Sequence, residues 1–192
     1  MSDPITLSRT ERLMLANQHR ILAKLEPDEG DFHEQMVDVF ENGYTVEYHK
    51  VFERVDEELD EAACKEVNDT LEMYRCLARA VEGFSKEEHT GIDVGEVSVF
   101  PGWDGNDRDG GHRMAYARHM QKDHRWEMIK TRDKFNSHMP DFGQYGRMVR
   151  AWKESRDVVT LTPADVKRIL RERSHPDSPA GRRIAEEKKA GA

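Results

Sequence analysis

The 192-residue sequence predicts an all-α fold, and three observations carry that expectation. Apolar residues recur at intervals of three and four along most of the chain, the spacing that lines one face of a helix. Helix-start signatures stand ahead of two such stretches, at Ser8-Arg9-Thr10-Glu11 and at Thr162-Pro163. Only one stretch, 83–111, changes character, with seven glycines and few helix formers. The expectation is a single-domain bundle of six or seven helices over residues 5–173, with a glycine-rich loop near 91–111. Residues 174–192 carry Ile184 as their only bulky aliphatic, with two prolines and repeated charges, and read as a disordered polar tail.

The elements follow in order. Ser8 and Glu11 have the spacing of a capping box, and Leu13, Met14, Asn17, Ile21, Leu22 and Leu25 then share one face, expected to point inward. Pro27 closes this helix. A second runs from about Asp31 to Glu41 with Phe32, Met36, Val37 and Phe40 inward, stopped by Asn42-Gly43. A third spans Val46 to Val55, with Val51, Phe52 and Val55 as its apolar side. The fourth, about 60 to 82, has the widest stripe: Cys64, Val67, Leu71, Tyr74, Ala78 and Val81, broadened by Met73 and Leu77. Such breadth implies more than one packing neighbour. Val94 to Phe100 reads as a short strand or buried extended loop, followed by turn chemistry through Asn106.

A helical pattern resumes from His112 to about Lys134, with a break expected at Lys122-Asp123, and Tyr116, Met120, Trp126 and Ile129 as inward residues. Phe135 to Pro140 interrupts it. Tyr145, Met148, Val149 and Trp152 then sit at i, i+3, i+4 and i+7. The last helix opens on Thr162 as N-cap with Pro163 at its first position, and runs through Val166, Ile169 and Leu170.

Composition narrows the function classes. Charged residues make up 35% of the chain, and Leu, Ile, Val and Phe together number 37, so the apolar residues must act by placement more than abundance. No apolar run approaches the roughly 18–20 residues of a membrane span. The acidic N-terminus lacks an apolar core, so no secretory signal and a cytoplasmic location are expected. Cys64 and Cys76 make neither a disulfide framework nor a CxxC motif. The net charge of −8 hides an asymmetry: residues 1–90 carry −12 and residues 91–192 carry +4. The acid-rich stretch 31–60 is a poor surface for phosphates.

Several blocks carry a family resemblance: Thr10-Glu-Arg-Leu-Met-Leu-Ala-Asn-Gln-His-Arg-Ile-Leu22, Cys64…Val67…Leu71-Glu-Met-Tyr74, Phe100-x-Gly-Trp-Asp104-x-Asn106, Phe135-Asn-Ser-His-Met-Pro140 and Tyr145-x-Arg-Met148…Trp152. Together they resemble the YfbU family of bacterial proteins over about residues 7–172. The resemblance implies an all-helical bundle and self-association, and implies no reaction.

The candidate site residues are these. Asn17, on the presumed buried face of the first helix, is read as a polar anchor or a ligand contact, since an unpaired buried amide costs roughly 1–3 kcal/mol. Trp103, Asp104 and Asn106 on one loop and Asn136 and His138 on another would form a small-ligand or catalytic site if they converge, with His138 as the base. Asn136-Ser137-His138 equally reads as a helix boundary. Asp104 to Gly110 fails the EF-hand register, because Arg108, Asp109 and Ala115 fall on its key positions. His112, His119 and His124 lie on one helical stretch, but no HExxH or comparable ligand spacing is present, so no metal site is expected. No cofactor is expected either. The stretch 108–134, with eight Lys/Arg against four Asp/Glu, is a weak candidate for nucleic acid and equally able to face acidic protein surface. The favoured reading is a self-associating regulatory or protein-interaction module, a homo-oligomer without a membrane or nucleic-acid partner.

Overall fold

The computed structural model describes residues 5–53, 55–123, 125–126 and 128–190. It is an all-α helical bundle with nine α-helices among the described residues, where six or seven were expected. The two additional helices are a single turn, Val94–Val97, in the segment read as strand or loop, and Pro179–Ala190 within the tail segment. The chain forms two compact units, with the boundary between Glu58 and Leu59.

The N-terminal unit is built on two helices, α1 (Arg9–Leu25) and α2 (Gly30–Asn42), joined by a 3-10 turn at Pro27–Glu29. The capping box is formed: Glu11 N–H donates to Ser8 Oγ at 3.2 Å, and Ser8 N–H donates to Glu11 at 2.7 Å. Gly43 ends α2 with a left-handed φ of 73°, a conformation glycine adopts without penalty. Arg12 donates to the carbonyl of Phe40 at 3.1 Å, so one helix satisfies the free end of the other. The core is Ala16, Met36, Val39, Phe40 and Tyr48, flanked by Ile5, Leu7, Leu15, Val37, Val51 and Phe52.

The inward face of α1 is a correction. Leu13, Met14, Asn17, Ile21 and Leu25 are exposed, and the buried residues of this helix are Ala16 and His19. The reason is close packing: Ala16, fully buried, is the small residue that lets α1 approach α2, and hydrophobic ranking alone passes over it. Phe32 is also more than a third exposed. The third expected helix, Val46 to Val55, is instead a 3-10 turn at Thr45–Glu47 and one helical turn, α3 (His49–Phe52), and both Val46 and Val55 are exposed.

The second unit is organised by α4 (Glu61–Glu82), whose N-cap Asp60 accepts from Ala63 N–H at 2.7 Å. It packs against α5 (Val94–Val97), α6 (Arg108–Lys122), α7 (Gln144–Lys153) and α8 (Pro163–Arg171), which accounts for the breadth of its apolar stripe. The last helix, α9, is Pro179–Ala190. No extended strand forms at 94–100: Phe100 makes an isolated parallel bridge to Thr131, and Trp103 another to Asn136. The helix expected over 112–134 begins earlier, at Arg108, and ends at Lys122, at the expected break, and beyond it Trp126 takes φ 65°, which a right-handed helix does not contain. Met120 and Ile129 are nonetheless buried, as their spacing predicts. Thr162 and Asp165 form a second capping box, with Pro163 at the first position of α8.

An aromatic cluster sits under the two bridged loops. Phe100 lies 4.7 Å from Tyr74, 4.8 Å from Trp103 and 5.4 Å from Tyr145, measured between ring centroids. Tyr145 donates its hydroxyl proton to the carbonyl of Gly102 at 2.6 Å, tying α7 to the loop.

Candidate functional site

The two loops singled out in the second unit are brought together by backbone. Trp103 N–H donates to Phe135 O at 2.9 Å, and Ser137 N–H donates to Trp103 O at 2.8 Å. Asn136 Oδ1 accepts from the backbone of Gly105 at 3.0 Å and of His138 at 3.1 Å, so this amide stitches the loops together. Gly102 permits the contact: its φ is 101°, and a Cβ there would lie 2.1 Å from the carbonyl oxygen of Phe135.

The side chains of the same residues divide between two clefts. Trp103 and Asp104 line one of about 410 Å³, together with Glu66, Asp107, Asp109 and Arg113. Asn136 and His138 line another of about 420 Å³, with Arg132, Asp133, Ser137 and Tyr145. Asp104 Oδ1 accepts from both the backbone and the side-chain amide of Asn106, each at 3.0 Å, which closes a turn of the Asx type. His138 Nε2 pairs with Asp133 at 2.6 Å on the surface, both side chains being more than half exposed. The Ser137 hydroxyl donates to the carbonyl of Met139 at 2.8 Å, so its proton is directed to backbone.

In the first cleft, Arg113 pairs with Glu66 at 2.9 Å. Arg113 Nε and the indole N–H of Trp103, although buried, have no hydrogen-bond partner among the described residues. A buried polar hydrogen without an acceptor is costly, so such positions mark places a ligand or water would satisfy. Burial pushes the Arg113 pKa down, but Glu66 and the carboxylates of Asp109 and Asp141 leave it raised.

The N-terminal unit holds two features that sequence reasoning missed. The first is a surface: Leu13, Met14, Ile21 and Leu25 are 58%, 58%, 59% and 70% exposed along one side of α1. Asn17 lies between them, exposed, its amide oxygen accepting from Arg20 at 2.9 Å. The expected buried amide is therefore a surface amide.

The second is a cluster at the α1–α2 turn. Glu26, Glu29 and His33 place ligand atoms within 4.8 Å of one another, the only such set among the described residues. His33 Nε2 is 3.4 Å from Glu26, and its Nδ1 is 3.0 Å from Nδ1 of His19. Both imidazoles are at least nine-tenths buried. Burial, and secondarily the neighbouring His33, hold the His19 pKa below its ordinary value. The sequence signal was Glu26-Pro-Asp-Glu29-x-x-x-His33, at spacings of three and four around a proline turn. Of the histidines first considered, His112 is half-buried and His119 exposed, and His124 lies outside the described residues.

Fold and sites together define an all-α protein whose N-terminal helical hairpin carries an exposed apolar face and a buried histidine pair. The chain belongs to the YfbU family, whose domain matches residues 5–171. It is similar to UPF0304 protein MJECS11 of Methanocaldococcus jannaschii, with 31% identity over 152 residues, covering 77% of this chain and 88% of that protein. None of the described helices is long and apolar enough to cross a membrane.

Proposed function

We propose that this protein is a protein-interaction module that self-associates through the exposed face of α1. The observation that carries the reading is the row of Leu13, Met14, Ile21 and Leu25 along one side of α1, all more than half exposed and interrupted by Asn17. These four side chains present roughly 500 Å² of surface, at the upper end of the patches ordinary monomers leave open. A second copy is the occupant that matches the row best. Asn17 lies midway between Leu13 and Ile21, so an antiparallel pair of α1 helices crossing at Asn17 sets Leu13 and Met14 of each copy against Ile21 of the other. That is the self-complementary contact a two-fold axis requires. Such a pair covers Leu13, Met14 and Ile21 of both copies and leaves Leu25 at the edge, so it buries somewhat less than about 1,000 Å² in total, the size of a weak or transient interface. Asn17 against its own counterpart would fix the register, as a lone polar residue does in a helical seam.

Sedimentation or light scattering at micromolar concentration tests this. The wild type is expected at twice the chain mass, and Ile21→Glu/Leu25→Glu at the chain mass with unchanged helicity. A wild type that sediments as a monomer sinks the reading.

A small-ligand role is the second reading, favoured by the unpartnered Trp103 and Arg113 donors in the 410 Å³ cleft, a volume within the usual range for ligand sites. Its occupant would offer acceptor atoms to those donors. Ligand screening by thermal shift tests it, and binding unaffected by Arg113→Met would count against this cleft. A nucleic-acid role through 108–134 has less support, because Arg113 is paired with Glu66 and Arg118 donates to the carbonyl of Lys134.

A further inference from the structure

We propose that Glu26, Glu29 and His33 form a binding site for a divalent first-row transition metal, with His19 as the outer partner that sets the tautomer of His33. The carboxylates come from the end of α1 and the following 3-10 turn, and the imidazole from the first turns of α2. One nitrogen and two carboxylates suit zinc, manganese, iron or cobalt and leave coordination positions open to water. Both glutamates are exposed, so an ion reaches the site from solvent, while the buried imidazole forms its floor.

The histidine pair supplies an independent observation. Two Nδ1 atoms 3.0 Å apart share one proton. If His19 holds it, the remaining proton of neutral His33 sits on Nε2 and faces Glu26. If His33 holds it, His33 Nε2 is a bare lone pair directed at a carboxylate 3.4 Å away, an arrangement that calls for a cation between them. The second arrangement is the one metal ligands use: the ring nitrogen away from the ion donates to a fixed acceptor, here His19 Nδ1. Where His19 holds the shared proton before binding, metal binding in this geometry moves it to His33. The Nε2 proton of His33 leaves to solvent, and His19 takes up one on its own Nε2, so the two rings keep two protons in all.

The full chain, stripped of metal, is titrated with Co²⁺ followed by absorption and with Zn²⁺ followed by calorimetry. One ion per chain is expected, weakened at least tenfold in Glu26→Gln/Glu29→Gln. Both substitutions are at exposed positions, so circular dichroism is expected to match the wild type. Histidine ¹⁵N spectra add a readout that a structural role would not move: Zn²⁺ shifts the ring nitrogens of His33 and His19 and leaves exposed His119 and His138 unchanged. Equal affinity in the double variant, no binding by the wild type, or a response confined to other histidines each overturns the proposal.

Discussion

Gly102→Ala and Gly146→Ala form a matched pair that tests how the second unit is held. At Gly102 the new methyl would lie 2.1 Å and 2.2 Å from the carbonyl oxygen and carbon of Phe135, both backbone atoms. An L-residue at a left-handed φ costs roughly 1–2 kcal/mol before any clash is relieved. Relieving the clash separates the two loops and strains Trp103 N–H to Phe135 O, Ser137 N–H to Trp103 O and Tyr145 OH to Gly102 O. Each net bond contributes roughly 0.5–1.5 kcal/mol, so losing two brings the total to roughly 2–5 kcal/mol. The stiffer unfolded chain of the alanine variant returns up to roughly 1 kcal/mol. At about 2–4 °C per kcal/mol for a chain of this size, the expected fall in Tm is about 2–20 °C. Gly146 lies within α7, and a Cβ there meets nothing within 4 Å. Alanine there is expected to raise Tm slightly, since it favours helix over glycine by up to about 1 kcal/mol. Thermal melts followed at 222 nm decide the matter. A Gly102→Ala protein melting within about 2 °C of wild type, or a Gly146→Ala loss of the same size, would refute the close-approach argument.

Two further outcomes follow from titratable groups. Hydrogen bonding by Thr162, opposed by partial burial and helped by Arg168, holds the Asp165 pKa below its ordinary value. A carboxylate depressed on folding stabilises fully above its unfolded pKa of about 3.9 and loses that contribution as pH falls through the lower folded value. Asp165→Asn is thus expected to lose roughly 1 kcal/mol at pH 7, with the gap to wild type closing at acid pH in urea titrations. A gap independent of pH would contradict it. Cys76 is buried, and burial followed by the Glu72 carboxylate pushes its thiol up to about 11. Its thiolate fraction at pH 8 is then roughly 200-fold below that of a free cysteine. Iodoacetamide should therefore modify it only on denaturation, and rapid labelling of Cys76 in the folded protein would show the packing of α4 to be wrong.

Local chemistry was legible in the sequence wherever it is decided within a few residues. Ser8 with Glu11 and Thr162 with Pro163 mark helix starts because capping involves groups three positions apart. The stripe of α4 was equally legible, since a helix surrounded by neighbours buries its apolar residues on every side that periodicity detects. The same reasoning failed on α1, where one face meets α2 and the more hydrophobic face does not. Periodicity finds the apolar side of a helix but not which side finds a partner. It marked the break after Lys122 but carried a helical pattern on to Lys134, where Trp126 takes a left-handed φ instead.

The family blocks named the loops that meet, Phe100 to Asn106 and Phe135 to Pro140, and tertiary structure determined how. Their backbones bond across the bridge between Trp103 and Asn136, while Asp104 and His138 line separate clefts. The acid and histidine spacing from Glu26 to His33 was present in the chain, but His19, fourteen residues before His33, enters only when α1 folds against α2. Helices, caps and the bulk of one core were thus set by the sequence through short-range bonding and period. The exposed face of α1 and the histidine pair were decided by packing, because both depend on which surfaces of two helices come into contact.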